Sequence, residues 1–308
     1  MGRRRKGRDI SGILLLNKPA GRTSNSAMVV CRAIYNAAKA GHTGALDPLA
    51  TGVLPVCFGE ATKFSQFLLD ADKAYRSRFI FGQNTDTADA DGEVVSEADA
   101  SQLTKEALEA AIDTFRGDIE QVPPMYSALK KDGRPLYELA RKGIEVERAP
   151  RPVTIRRFEL ESFRPGALAE AVVEVHCSKG TYIRSLAVDL GEVFACGGHV
   201  AELHRIKAGP FDESGTVTMD TLQALRDVED FDGLDALLIP VERALEHIPA
   251  LHLVESCAYY LRLGQAVFVA NAPTEGTVTL FDEHGQFMGI GEILDDGRVK
   301  PRRLIANM

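Results

Sequence analysis

The segment Gly41-His42-Thr43-Gly44-Ala45-Leu46-Asp47-Pro48-Leu49-Ala50-Thr51-Gly52 places one carboxylate, Asp47, among three glycines and a proline. That composition suits a tightly shaped loop better than a helix or a strand. A carboxylate in such a loop can attack carbon as a nucleophile, or stabilise positive charge on a sugar carbon, as the acids of glycosidases do. The plainer alternative is a turn, because Asp-Pro pairs commonly initiate one. Neither route needs a metal or a redox group. The five cysteines (Cys31, Cys57, Cys177, Cys196, Cys257) are odd in number, widely spaced and without a CxxC pair, which points to free buried thiols rather than disulfides or zinc. The chain carries no P-loop or Rossmann glycine fingerprint, and no cofactor is expected.

Several elements must position this loop. Ser11 to Leu16 reads as a short strand running into Asn17-Lys18-Pro19, where proline cannot join a central ladder. A helix capped by Ser24 or Asn25 is predicted to run to about Ala40, with Gly41 opening the loop. Val53 to Phe58 reads as a buried strand and Glu60 to Leu69 as a helix. Tyr75, Ser77, Phe79 and Phe81 alternate with their neighbours as one face of a strand. Leu103 to Phe115 and Tyr182 to Phe194 have helical periodicity, and Pro135 to Lys142 reads as a short basic helix. Val153 to Phe163 and Ala169 to Cys177 form a predicted hairpin turning at Arg164-Pro165-Gly166. Strands and helices mix without a βαβ repeat, so the expected class is α+β with a mixed, mainly antiparallel sheet. Beyond Leu251, strand-like pieces (Ala266 to Val269, Thr277 to Phe281, Phe287 to Ile293, Arg298 to Leu304) suggest a small C-terminal β domain. The expected division is 1–250 and 251–308.

At 308 residues and 45% hydrophobic, the chain is long enough to bury a sizeable core. It contains no apolar run of roughly eighteen residues. Its basic start (Arg3, Arg4, Arg5, Lys6, Arg8) is followed only by Ile13 to Leu16, so a cytoplasmic protein without a signal peptide is expected. The net charge of -8 argues against a nucleic-acid partner, but the charge is unevenly placed. Residues 128–157 hold nine Lys/Arg against four Asp/Glu, whereas residues 212–247 carry ten acids against Arg226 and Arg243. An acidic chain can therefore present a basic face.

The loop from Gly41 to Gly52 closely resembles the catalytic loop of the tRNA pseudouridine synthase B family. The resemblance extends to Leu14-Leu15-Leu16-Asn17-Lys18-Pro19, Gly59-Glu60-Ala61-Thr62-Lys63, Asp86 to Gly92, Pro123-Pro124-Met125-Tyr126-Ser127-Ala128-Leu129-Lys130, Cys177-Ser178-Lys179-Gly180-Thr181-Tyr182-Ile183-Arg184 and the Arg298 to Leu304 tail, and so covers nearly the whole chain. It implies isomerisation of uridine to pseudouridine at uridine-55 in the T loop of tRNA, with Asp47 as the catalytic residue. It also implies that Tyr75 stacks on the base, that Tyr182 lies against the ribose or base as a general base, and that His42 fills the place left by a flipped nucleotide. By the same resemblance Leu203 is expected to supply a substrate contact. Arg184 is expected either to pair with Asp47 or to meet a phosphate. Lys18 is expected to brace the loop or to meet a backbone phosphate. Tyr75 as sheet packing and Leu203 as ordinary core are the alternatives.

By the same resemblance the C-terminal part is PUA-like and residues of about 124–152 form an RNA-binding insertion. The expected partner is a tRNA T stem-loop, with no membrane association, and a monomer is the simplest expectation for the chain. Two other functions suit the same residues: a non-catalytic protein that binds or folds tRNA, and a hydrolase that releases uracil. If the basic run from Lys130 to Arg157 closes over RNA, its amides should exchange hydrogen readily in the free protein; full protection would contradict that motion.

Overall fold

A computed structural model describes residues 7–306, so the basic residues Arg3, Arg4, Arg5 and Lys6 lie outside the described part. The larger sheet has nine strands. Along its main path they run Gly12–Lys18, Thr51–Phe58, Gly198–Ala208, Lys73–Phe81, Ala169–Cys177, Arg151–Arg164 and Gly117–Gln121, with Ala40–His42 and Phe211–Asp212 paired at the sides. All neighbours are antiparallel except Thr51–Phe58 against Gly198–Ala208, where Thr51 and Gly52 lie opposite His204 and Arg205. This is the mixed, mainly antiparallel α+β architecture expected.

The long buried strand Gly198–Ala208 escapes sequence reading for a physical reason. Irregular pairing between Val200 and Glu202, and again between Arg205 and Lys207, breaks the period-two alternation that marks a half-buried strand. It places Leu203 and Arg205 beside Ser77 and Tyr75 of Lys73–Phe81. The helix Ser24–Ile34 is shorter than expected and is capped by Thr23, whose hydroxyl accepts from the Ser26 N–H at 3.1 Å. It stops before Ala40 because Asn36 adopts a left-handed conformation (φ 48°), an ordinary helix terminator. Residues 40–42, expected to end the helix and open the loop, form a short strand against Thr51–Phe58. The segment read as a helix from Glu60 begins as a 3-10 turn, Gly59–Phe64, before Ser65–Asp70.

One apolar cluster joins Leu46, Tyr75, Ile183 and Leu203 to Phe79, Phe158 and Leu186, so the residues expected at the site share their core with the sheet. A second, four-stranded sheet runs Ala250–His252, Thr277–Phe281, Phe287–Ile293 and Val299–Leu304. Its first pair is parallel. Ala266 to Val269 is not one of its strands: Val267 makes a lone bridge to Val299, and left-handed Asn271 turns the chain just after it. A helix, Glu255–Arg262, occupies residues that the β texture concealed. Phe287 and Ile290 of this sheet pack with Ile13, Leu15, Val53 and Leu245, giving the two sheets a common apolar cluster. No helix among the described residues is long and apolar enough to cross a membrane.

Gly52 is a point of close approach. Its φ is 99°, and a Cβ there would lie 2.3 Å from the Arg205 carbonyl oxygen. Gly52→Ala should cost about 1–3 kcal/mol from backbone strain alone, read as a lower urea midpoint; an unchanged midpoint would contradict this packing.

Candidate active site

Asp47 follows a buried residue, Leu46, whose backbone is fastened from a distance. The Ser24 hydroxyl donates to the Leu46 carbonyl at 3.1 Å and accepts from the Leu46 N–H at 2.7 Å. Ser24 therefore clips the loop rather than capping its own helix. Lys18 is fully enclosed, with its Nζ donating to the carbonyls of Pro19 at 2.8 Å, Pro48 at 3.3 Å and Ala50 at 2.6 Å. The structure thus makes Lys18 a brace of the loop and leaves it no surface for a phosphate. Burial draws its pKa down to about 8, with the Asp47 charge opposing.

The Asp47 side chain keeps 37% of its surface open, whereas Arg184 keeps 4%. Arg184 Nε lies 2.9 Å from Asp47 Oδ2, an ion pair without the alignment of a hydrogen bond. The guanidinium is held from behind, where Nη1 donates to the Thr87 carbonyl at 2.8 Å and Nη2 to the Tyr126 carbonyl at 2.7 Å. Nη1 also lies 3.6 Å from Asp89 Oδ2. Withdrawal from water raises the Asp47 carboxyl above the usual carboxylate range; Arg184 opposes that shift and Asp89 adds to it. Although part of the side chain is open, the carboxyl looks into a recess, which is why desolvation prevails.

That recess is a cavity of about 300 Å³ lined by Asp47, Tyr75, Tyr182, Arg184 and Leu203, together with Lys73, Ser127 and Arg205. Five of the seven expected site residues therefore meet around one space. Lys18 stands behind the loop. His42, on the strand Ala40–His42, is half-buried outside the lining, and its Nδ1 finds no hydrogen-bond partner among the described residues. Burial, aided by the Arg205 charge, pushes its imidazole pKa down. Burial likewise pushes both phenols up, Tyr75 and Tyr182, so each is a neutral hydroxyl at neutral pH.

Lys73 and Arg205 were not anticipated. Lys73 Nζ donates to the carbonyls of Leu68, Leu69 and Ala71 at 3.2, 2.7 and 2.5 Å, closing the end of the helix Ser65–Asp70, and burial lowers its pKa to about 8. Arg205, 1% exposed, donates through Nε to Val53 O at 2.7 Å and through Nη2 to Gly44 O at 3.1 Å. The detectable signal for Lys73 is its place two residues before Tyr75 on one strand face; that for Arg205 is masked by the irregular strand it occupies. Among the described residues, no cluster of three His, Cys, Asp or Glu could hold a metal ion.

The profile "TruB family pseudouridylate synthase (N terminal domain)" matches residues 32–183. Two further profiles, a tRNA pseudouridylate synthase B C-terminal domain and a pseudouridine synthase II TruB C-terminal module, match residues 184–246 and 249–305. The tRNA pseudouridine synthase B of Saccharophagus degradans is 55% identical over 99% of this chain and 98% of its own. The chain belongs to the TruB family of pseudouridylate synthases. The tRNA pseudouridine synthase B of Stutzerimonas stutzeri is 58% identical over 97% of this chain and 96% of its own. A chain of an H/ACA RNP bound to a substrate RNA containing 2′-deoxyuridine shares the fold at 23% identity, with a TM-score of 0.71 over 100% of this chain and 92% of that one. TruB membership makes the chain an isomerase.

Because the Asp47 carboxyl is raised, the native state binds its proton more readily than the unfolded chain, so this group costs stability as pH rises through that range. Arg184 offsets the cost. Arg184→Met should move the Asp47 titration to higher pH, as followed by carbon-13 NMR of the aspartate carboxyls. A titration that stays put or falls would exclude the pairing.

Proposed function

We propose that this chain is a tRNA pseudouridine synthase that isomerises uridine-55 in the T loop, with Asp47 as its catalytic residue. The observation that carries the reading is the Asp47 carboxylate, partly open, 2.9 Å from a nearly enclosed Arg184 and facing a cavity that two tyrosines also line. The names of relatives at 55% and 58% identity support tRNA as the substrate.

The reaction breaks the bond from C1′ to N1 and joins C1′ to C5. A hydrogen leaves C5 and one is gained at N1, so the product is an isomer and no oxidant or energy source is consumed. Attack at C1′, addition to the uracil ring and elimination to a glycal all begin from an ionised carboxylate, which Arg184 favours against burial. Tyr75 offers an apolar face for the base. Tyr182, held neutral, contributes a hydroxyl donor and a face against ribose or base; action as a base on the C5 hydrogen first requires its deprotonation. Leu203 closes the lining. Because a stacked nucleotide cannot offer C1′ and both base edges to one recess, the uridine must be flipped, and His42 beside the cavity would fill the gap in the stack.

The basic segment of about 124–152 would meet the phosphates of the T arm. It contains a small hairpin, Lys130–Lys131 with Arg134–Pro135, and the helix Leu136–Ala140. Residues 1–250 would form the catalytic domain and 251–308 the small C-terminal one, the latter supported by its separate apolar cluster around Leu251, Leu280 and Val299. A tRNA substrate supports a cytoplasmic setting.

Tritium release from T-arm RNA labelled at uridine C5 tests the reading. Wild type should release tritium and Asp47→Asn should release none above background. Tight binding without release would favour a tRNA-binding protein, and free uracil in the products would favour a hydrolase.

A further inference from the structure

The helix Ile183–Val193 starts at Tyr182, whose backbone is extended and whose side chain makes no cap. That position usually belongs to Ser, Thr, Asp or Asn, whose oxygen satisfies one of the free N–H groups of the first turn. Here the residue lines the cavity instead, so the start of the helix must be pinned from elsewhere. Gln121, at the end of the strand Gly117–Gln121 and only 2% exposed, supplies the pin. Its Oε1 accepts from the Tyr182 N–H at 2.7 Å, and its Nε2 donates to the Tyr182 carbonyl at 3.0 Å.

The next residues continue the attachment. Ser185 Oγ donates to the Val122 carbonyl at 3.1 Å, and Arg184 Nη2 donates to the Tyr126 carbonyl at 2.7 Å. The chain from Gln121 to Tyr126 is therefore a strap across the first helical turn, and Gln121 is the one residue in it that grips the Tyr182 backbone with its side chain.

We propose that Gln121 is a positioning residue for the isomerisation. Its amide sets the placement of Tyr182 and, two residues along, of Arg184 against Asp47. This rests on the synthase reading above. The Arg184 to Asp47 contact is close but poorly aligned, so it depends on how Arg184 is held, at its tip by the Thr87 and Tyr126 carbonyls and at its backbone by where the helix begins. Without the amide, the N–H and carbonyl of Tyr182 lose their side-chain partner, and the first turn is free to shift. A shift on the order of 1 Å at a catalytic group is enough to cost about 100-fold in rate.

Gln121→Met keeps the bulk and removes both hydrogen bonds. In single-turnover tritium release from T-arm RNA, its rate should fall about 10- to 100-fold while RNA affinity stays near wild type. Combined with Tyr182→Phe, the losses should be less than additive, because both changes act on one side chain. Gln121→Glu adds a signature that simple packing would not give. A protonated carboxyl can both accept from the N–H and donate to the carbonyl, whereas an ionised one can only accept. Its rate relative to wild type should therefore fall as pH rises.

A folded Gln121→Met protein with the wild-type rate, or one whose rate falls only in step with RNA affinity, overturns the proposal. If that variant does not fold, a pH-independent rate ratio for Gln121→Glu overturns it. Wild type and Asp47→Asn run in the same assay separate the two readings: no release by wild type removes the synthase function itself, whereas release at the same rate by wild type and Gln121→Met removes only the role of Gln121.

Discussion

The pairing of Arg184 with Asp47 governs the architecture of this site. A carboxylate that faces a recess loses hydration and drifts toward its neutral form, whereas the proposed chemistry begins from the ion. Arg184 counters that drift from a position almost closed to water, which creates a second problem, a buried cation that must itself be solvated. The Thr87 and Tyr126 carbonyls supply that solvation, at fixed angles that water would not keep. The guanidinium is thus oriented by the protein before substrate arrives.

The same solution recurs around the loop. Lys18 lies against Pro19, Pro48 and Ala50, Arg205 against Val53 and Gly44, and Lys73 against the end of a short helix. Lys18 and Arg205 give the loop carbonyls of Pro48, Ala50 and Gly44 the hydrogen-bonding partners that a ladder would otherwise supply, and Lys73 does the same for the free carbonyls at the helix end. The arrangement therefore does two jobs. It satisfies the backbone of a loop too irregular for sheet or helix, and it surrounds Asp47 with positive charge suited to an RNA substrate. The net negative charge of the chain is compatible with this because ten of its acids fall in residues 212–247, none of which lines the recess.

The two sheets share apolar contacts through Phe287, Ile290, Leu15 and Val53, so the C-terminal strands also pack against the first strands of the larger sheet. Gly12–Lys18 ends in Lys18, and Thr51–Phe58 emerges from the Asp47 loop. The C-terminal sheet therefore packs against the strands from which the loop hangs.

Much of the candidate site is local in sequence. Asp47 in its glycine-rich loop, the alternation that carries Tyr75, and the helix beginning near Tyr182 are all legible there, because one carboxylate with flanking glycines and regular periodicities leave signals within a few residues. The strand that carries Leu203 and Arg205 is not, since its irregular register erases alternation. Nor are the jobs of Ser24 and Gln121, whose partners are Leu46 and Tyr182, 22 and 61 residues away along the chain; for Lys18, expected either to brace the loop or to meet a phosphate, only the Pro48 and Ala50 carbonyls show which. The sequence by itself determined which groups could do the chemistry and the class of fold able to hold them. Only the tertiary structure decided which cations line the recess and which lock the loop, because a buried polar side chain takes its role from whatever unsatisfied group the fold brings against it.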